Sequence, residues 1–304
     1  MSTLPESYLT YPHRHAGPDH AHYPAAPLPE RPAIRLPGDR TLGLWVVVPL
    51  EFFPLNPSGQ PFKAPGAMQT PYPDLRHYTT RDYGNRVGAY RLLTLFGKLG
   101  LRATFAIQGA VAERYPALVR DVVADGHAVC AHGWDTDSLH HSALPADLER
   151  SYIDRTLDAL SAVTGRRPDG WISPARAEGF QTPARLAAAG IRWFADWAHD
   201  DLPTAFHTEA GDLTALPLSN ELDDWQILIT HARPEQEWVT QVSDAADWLL
   251  AEAAAQSSPR LLTLTVRPYV SGLPYRVKAL RDSLANVLKR PGCGSVSPDD
   301  ITPG

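Results

Sequence analysis

An irregular parallel (β/α) barrel is the fold this sequence predicts, and three observations predict it. From residue 42 onward, short apolar runs alternate with longer amphipathic ones, the alternation that builds parallel sheets. The 304 residues can bury a full core, as one large α/β domain or two smaller ones. Polar and charged side chains follow directly after several of the apolar runs, at the carboxyl ends of strands where α/β folds place their chemistry.

Leu42 to Leu50, holding Trp45-Val46-Val47-Val48, reads as the first strand. Residues 53–80 are rich in Pro and Gly and read as a long loop, a type that in compact domains is usually functional or disordered. The pattern then predicts a helix over 86–99, a strand over 103–107, a helix over 111–124 and a strand over 128–132. A helix over 145–163, a strand over 169–173, a helix over 182–189 and a strand over 191–196 follow. Leu213 to Pro217, Gln226 to Ile229 and Leu261 to Val266 supply later strands, with helices near 235–255 and 274–289. The tail after Arg290, opening with Pro291-Gly292-Cys293-Gly294-Ser295, lacks the apolar pattern of a closing strand and helix. Three units result: an arm over 1–40, the barrel over 41–292 and a tail over 293–304.

The arm interleaves proline with histidine in Pro12-His13-Arg14-His15 and His20-Ala21-His22. Proline keeps it extended and the histidines have no regular ligand spacing, so it reads as a packing arm rather than a metal-binding tract. Such an arm cannot bury a core of its own and needs another surface, so a homo-oligomer is expected. The 304 residues are 43% hydrophobic and 20% charged, enough for a full core. A net charge of -6 without a basic run argues against a nucleic-acid partner. Cys130 and Cys293, neither in a CxxC pair, suit a reducing compartment. No apolar run is long enough to span a bilayer, and Met1 to Arg40 lacks the apolar centre of a signal peptide. The expectation is a cytoplasmic protein with a small-molecule substrate, not a cell-wall polymer.

The most informative segment is Ala131-His132-Gly133-Trp134-Asp135-Thr136-Asp137, followed by His140-His141. Around it stand Arg81-Asp82-Tyr83-Gly84-Asn85-Arg86-Val87-Gly88, Ala103 to Ile107, Ala112-Glu113-Arg114-Tyr115-Pro116 and Asp125-Gly126-His127. Later come Gly170-Trp171-Ile172-Ser173-Pro174-Ala175-Arg176, the run Asp196 to Pro203, and Val266-Arg267-Pro268-Tyr269 continuing through Ser271 to Arg276. In that order these segments resemble the polysaccharide deacetylase, or NodB-homology, superfamily on its allantoinase-like and cyclic-imidase-like branch, over roughly residues 41–292.

The resemblance implies a divalent metal held by an acid after the first strand and by two histidines in an HxxxH pattern, with bound water as nucleophile. Here the acid position is Glu51, the pattern begins at His132, and its second position is Thr136. A hydroxyl replaces imidazole poorly, although His140 or His141 could fold back to supply a nitrogen. Glu51, His132 and His141 are thus the candidate ligands, and the expected cofactor is none or a weakly held divalent ion such as zinc. Near the last strand the resemblance implies a His-Pro pair, and Arg267-Pro268 stands in its place. Arginine stays charged and only donates hydrogen bonds, so the change reads as an acid turned into an anion clamp or as a structural salt bridge.

Glu51 and His132, with Asp135 beside them, are the candidates for polarising water or a carbonyl, and Arg176 and Arg267 for holding an anionic group of the substrate. Ser173, Asp200 and Arg86 are further substrate contacts, and Asp196 or Asp200 would orient Arg176 or a base. Trp134, Trp171 and Trp197 could wall a pocket for a flat molecule. Two classes of function follow. One is hydrolysis of a non-peptide carbon–nitrogen bond in a small amide, imide or ureide. The other is a repurposed scaffold, either a lyase, cyclase or isomerase of a biosynthetic pathway or a binding protein without turnover.

Overall fold

The computed structural model describes Pro18, residues 20–58 and residues 71–302. Pro12 to His15 and part of the long loop expected over 53–80 lie outside them.

Strand β1 (Leu42–Leu50) is buried along its whole length, as a continuous apolar run in a parallel sheet should be. It pairs in parallel with β2 (Thr104–Ile107) through Val47 to Leu50 and with β8 (Arg260–Thr265) through Leu42 to Val47. Beyond β2 the sheet continues in parallel through β3 (Ala128–Ala131), β4 (Gly170–Trp171), β5 (Trp193–Phe194) and β7 (Gly211–Ala215). Strand β6 (Thr204–Thr208) folds back antiparallel on β7.

The side chains show the barrel more directly than the pairings do. Trp45, Val47, Ala106, Cys130, Ile172, Trp193, Ala195, Leu216, Leu218 and Leu261 come from strands and strand ends across the sheet and form one buried inner cluster. A separate, larger cluster lies between the sheet's other face and the helices, with Val46, Val48, Phe105, Leu157 and Leu284 among its members. One sheet facing an enclosed apolar interior inside and helices outside is a barrel. The edges approach where the Ser219 amide donates to the Thr263 hydroxyl at 2.8 Å.

The helices run α1 (Leu75–Tyr83), α2 (Ala89–Leu99), α3 (Gly109–Arg114), α4 (Pro116–Ala124), α5 (Ala146–Thr164), α6 (Thr182–Ala188), α7 (Glu235–Gln256) and α8 (Val277–Leu288). The helix expected over 111–124 is broken at Pro116, which starts α4 because proline donates no backbone hydrogen bond. The helix expected from 86 begins eleven residues earlier, and a π-helical turn over Gly84–Gly88 joins α1 to α2.

Gln226 to Ile229 is not a strand but part of a helical turn, Trp225–Thr230. A four-residue apolar run fits either state, and Asp223 decides it by accepting from the Trp225 and Gln226 amides at 2.8 and 3.3 Å. The tail also departs from expectation. Cys293–Ser295 forms β9, parallel to the start of β1, and Pro298–Ile301 forms α9. Val296 and Ile301 enter the inner cluster together with Leu36 from the arm. The tail therefore closes the amino-terminal base of the barrel and leaves its mouth untouched.

The described part of the arm packs on its own chain. His22 stacks on Phe206 at 4.6 Å between ring centroids, Tyr23 stacks on His199 at 4.2 Å, and Arg31 pairs with Asp200.

Candidate active site

At the carboxyl end of the barrel lies a cavity of about 460 Å³ lined by Glu51, His132, Ser173, Arg176, Asp196 and Arg267, among others. Each follows a strand directly or within a few residues, so the parallel direction of the sheet gathers them at one end. Tyr269, Trp225, Asp223 and Thr265 complete the polar and aromatic wall.

Glu51 is the most connected group. One carboxylate oxygen lies 3.9 Å from His132 Nε2, and the other accepts from the Tyr269 hydroxyl at 2.9 Å and lies 3.8 Å from Arg267 Nε. Burial alone would raise its pKa, but the facing His132 imidazole, the Arg267 charge and the Tyr269 hydroxyl outweigh it and hold Glu51 below the ordinary carboxylate range. His132 is oriented from behind: its Nδ1 meets the Ile172 carbonyl at 2.7 Å, which makes Nδ1 the donor and turns Nε2 toward Glu51. Gly133, at φ +68, lets the chain turn away just after the histidine, where Pro174 leaves no room for a side chain.

The π-helical turn supports the same corner. Asn85 donates to the Glu51 carbonyl at 2.8 Å, and a Cβ at Gly88 would overlap the Pro268 carbonyl oxygen. Such turns recur at functional sites. Arg81, on α1, places its guanidinium 4.9 Å from the Tyr269 ring and 5.0 Å from that of Trp225, securing both aromatic walls.

Both arginines at the mouth already have partners within the chain. Arg267 pairs with Asp223, with Asp224 at 3.1 Å and with Glu51. Asp224 also accepts from the Arg267 amide at 2.7 Å and from the Ser271 hydroxyl at 2.6 Å. Burial, partly opposed by Arg267 and reinforced by Asp223, pushes the Asp224 pKa up to about 7. Arg176 spends its donors on the Leu218 and Ser219 carbonyls at 2.8 and 3.1 Å and on Asn220. Ala175 and Arg176 both have positive φ, 55 and 52, a strained pair of the kind found at functional sites.

The expected metal set is not assembled. Thr136 donates to the Phe52 carbonyl at 3.1 Å, which occupies the hydroxyl. His140 is turned into the helical layer, where Nδ1 meets Glu149 at 3.0 Å, and burial lowers its pKa to about 4. His141 does not line the cavity. Among the described residues no group of three or more His, Cys, Asp or Glu side chains could hold a metal ion. Two donors, Glu51 and His132, with an arginine 3.8 Å from the carboxylate, do not fit a tightly bound zinc ion.

Several predicted contacts lie elsewhere. Trp171 is buried in the outer cluster with its indole on Ser173 Oγ at 2.9 Å, and Trp134 packs under Arg155. Trp197 belongs to the aromatic patch beneath the arm, so the walls are Trp225 and Tyr269 instead. Asp135 caps its own loop by accepting from the Asp137 and Ser138 amides. Arg86 is 70% exposed beside Asp82, and Asp200 faces a second cavity beside Arg31. Asp223, Asp224 and Asn85 went unmarked because nothing in their local sequence shows that they meet Arg267 and Glu51.

Comparison with known proteins agrees with this architecture. Residues 71–194 match the polysaccharide deacetylase family. A peptidoglycan deacetylase of Helicobacter pylori is 28% identical over 144 residues, 47% of this chain and 48% of that protein. The chain thus spans about half the length of that curated relative. A "probable Polysaccharide deacetylase" structure from Pseudomonas aeruginosa PAO1 superposes with a TM-score of 0.78 at 24% identity, covering 90% of this chain and 93% of that one. The Puue allantoinase structure superposes with a TM-score of 0.76 at 23% identity, covering 89% and 92%. Residues 71–194 are thus similar to a polysaccharide deacetylase domain, and the described chain shares its fold with the Pseudomonas aeruginosa structure and with Puue allantoinase.

Proposed function

We propose that the chain is a hydrolase of a non-peptide carbon–nitrogen bond in a small, neutral amide, imide or ureide. The observation that carries this reading is the Glu51–His132 pair, 3.9 Å apart and fixed from behind, at the wall of a 460 Å³ cavity. A carboxylate held ionised and an imidazole with one nitrogen facing it can orient a water between them and take its proton. The cavity has the size of a small-molecule site. The Arg267 charge is already met by Asp223, Asp224 and Glu51, which supports a neutral hydrogen-bonding substrate over the anion expected from the sequence. One neighbour in fold is an allantoinase, which supports testing ureides and cyclic imides first.

The test is a turnover screen of the purified protein against allantoin, hydantoin, succinimide and acetanilides, with bound metal measured in the same sample. Ring opening or amine release that His132→Ala abolishes supports the reading. Turnover of none of the probes, or activity that rises and falls with metal content, overturns it.

A further inference from the structure

Water attacking a carbonyl carbon pushes negative charge onto the carbonyl oxygen, and that charge needs a hydrogen-bond donor aimed at it. Most donors around the cavity are already committed. The Tyr269 hydroxyl donates to Glu51 at 2.9 Å, the Ser173 amide to Asp196 at 2.7 Å, and His132 Nδ1 to the Ile172 carbonyl at 2.7 Å. A neutral imidazole that donates from Nδ1 has no hydrogen on Nε2. Arg176 spends both terminal nitrogens on the Leu218 and Ser219 carbonyls and on Asn220.

Arg267 differs. Its Nη1 donates to Asp223 and, at 3.1 Å, to Asp224. Its Nε lies 3.8 Å from Glu51, close enough to share charge and too far for a hydrogen bond. Among the described residues no hydrogen bond engages Nε or Nη2, and neither nitrogen is sealed off by protein. The side chain is 20% exposed and lines the cavity together with Glu51 and His132. Two nitrogens bearing hydrogens therefore remain open on the cavity wall.

The place beside Glu51 gives these donors a preference for the transition state. At rest the guanidinium is balanced by Asp223, Asp224 and Glu51, so a neutral carbonyl gains little from its charge. When water gives its proton to Glu51, one of those negative charges is lost as an equal charge appears on the carbonyl oxygen. The cation then exchanges one partner for another, an interaction stronger in the transition state than before it.

We propose that Arg267 is the oxyanion-stabilising residue of this site, donating from Nε and Nη2 to the substrate carbonyl oxygen as it becomes negative. This rests on the hydrolytic reading above. In the balanced step, water gives one proton to Glu51, its oxygen bonds to the carbonyl carbon, and the carbonyl π pair moves to oxygen. The carbonyl then re-forms, the carbon–nitrogen bond breaks with its electron pair on nitrogen, and nitrogen takes the proton from Glu51. The net reaction consumes one water, and the guanidinium neither gains nor loses a proton.

Arg267→Lys keeps the charge that the three carboxylates require but loses the planar fork. Its kcat on whichever probe the wild type turns over should fall by about 100- to 1,000-fold, the cost of one lost oxyanion donor, with KM within about threefold. The thiocarbonyl counterpart of that probe, whose sulfur accepts hydrogen bonds weakly, should lose far less. Circular dichroism checks that the variant folds. Crystals of the wild type with a phosphinate analogue of the same probe give an answer that needs no variant: a phosphinate oxygen within hydrogen-bond distance of Arg267 Nε or Nη2 is expected. An unchanged kcat, a rise in KM alone, equal losses on the two substrates, or phosphinate oxygens that avoid Arg267 overturns the assignment. A wild type that turns over none of the probes removes the hydrolytic reading and this role with it, whereas turnover with any of those four results removes this role alone.

Discussion

The two ends of the barrel use the same strands for opposite purposes. At the base, Leu36, Val296 and Ile301 insert apolar side chains among Trp45 and Leu261, so the interior there is sealed with hydrophobic contacts. At the mouth the same strands end in Glu51, His132, Asp196 and Arg267, and nearly every polar group is held by another. Burial at the base gains free energy for each methylene, whereas burial at the mouth costs free energy unless each charge is paired. The chemistry is therefore confined to the mouth, and the base contributes stability alone.

The sharpest break of that contrast is Arg267→Gln, which leaves Glu51, Asp223 and Asp224 without their shared cation. Breaking a buried ion pair from one side costs about 3–5 kcal/mol, so a large fall in denaturation midpoint is expected at neutral pH. An unchanged midpoint would show that the three carboxylates do not depend on this guanidinium. At the base, Ile301→Ala should cost roughly 2 kcal/mol, at the low end for a buried isoleucine. Its turnover per folded molecule should match the wild type, and a parallel loss of turnover would deny the separation.

Asp224 offers a smaller and pH-dependent effect. Its folded pKa of about 7 lies above the ordinary carboxylate value of 3.8, so the folded protein binds the extra proton. That contribution is fully present below the unfolded pKa and is lost as the pH rises through the folded value. Between pH 4 and pH 7 the stability of the wild type should therefore fall more steeply than that of Asp224→Asn. Identical slopes in paired melts would exclude Asp224 as the source. Smallest of all, Trp134→Phe should leave KM within about twofold, since the ring packs under Arg155 away from the cavity and such exchanges rarely reach a distant site. A tenfold change would put it back in the pocket wall.

Much of the barrel was legible because its signals are local. The Val-rich run of β1, the alternation through β5 and the apolar run Leu261 to Val266 place Glu51, His132, Ser173 and Arg267 at strand ends, and those residues share one cavity. The base was misread because β9 is three residues long and gains its stability from pairing with Leu42 to Leu44, which leaves no periodicity in the sequence. Gln226 to Ile229 was misread because an aspartate cap outweighed a short apolar run. The tryptophans show a different limit. Trp134 and Trp171 lie near strand ends as expected, but which side of the sheet an indole takes depends on partners far away in the chain. Arg267 illustrates the same point with charge, since its carboxylates come from Asp223 and Asp224, 44 and 43 residues away.

The central claim is that Glu51 and His132 direct water at a carbon–nitrogen bond. It is tested most directly by kcat and KM of Glu51→Gln on whichever probe the wild type turns over, with metal content measured in both proteins. The account predicts a fall in kcat of at least ~100-fold, the scale of a lost general base, with KM changed little and no dependence on metal content. A Glu51→Gln enzyme that keeps its turnover, or a wild type whose turnover follows its metal content, would contradict it.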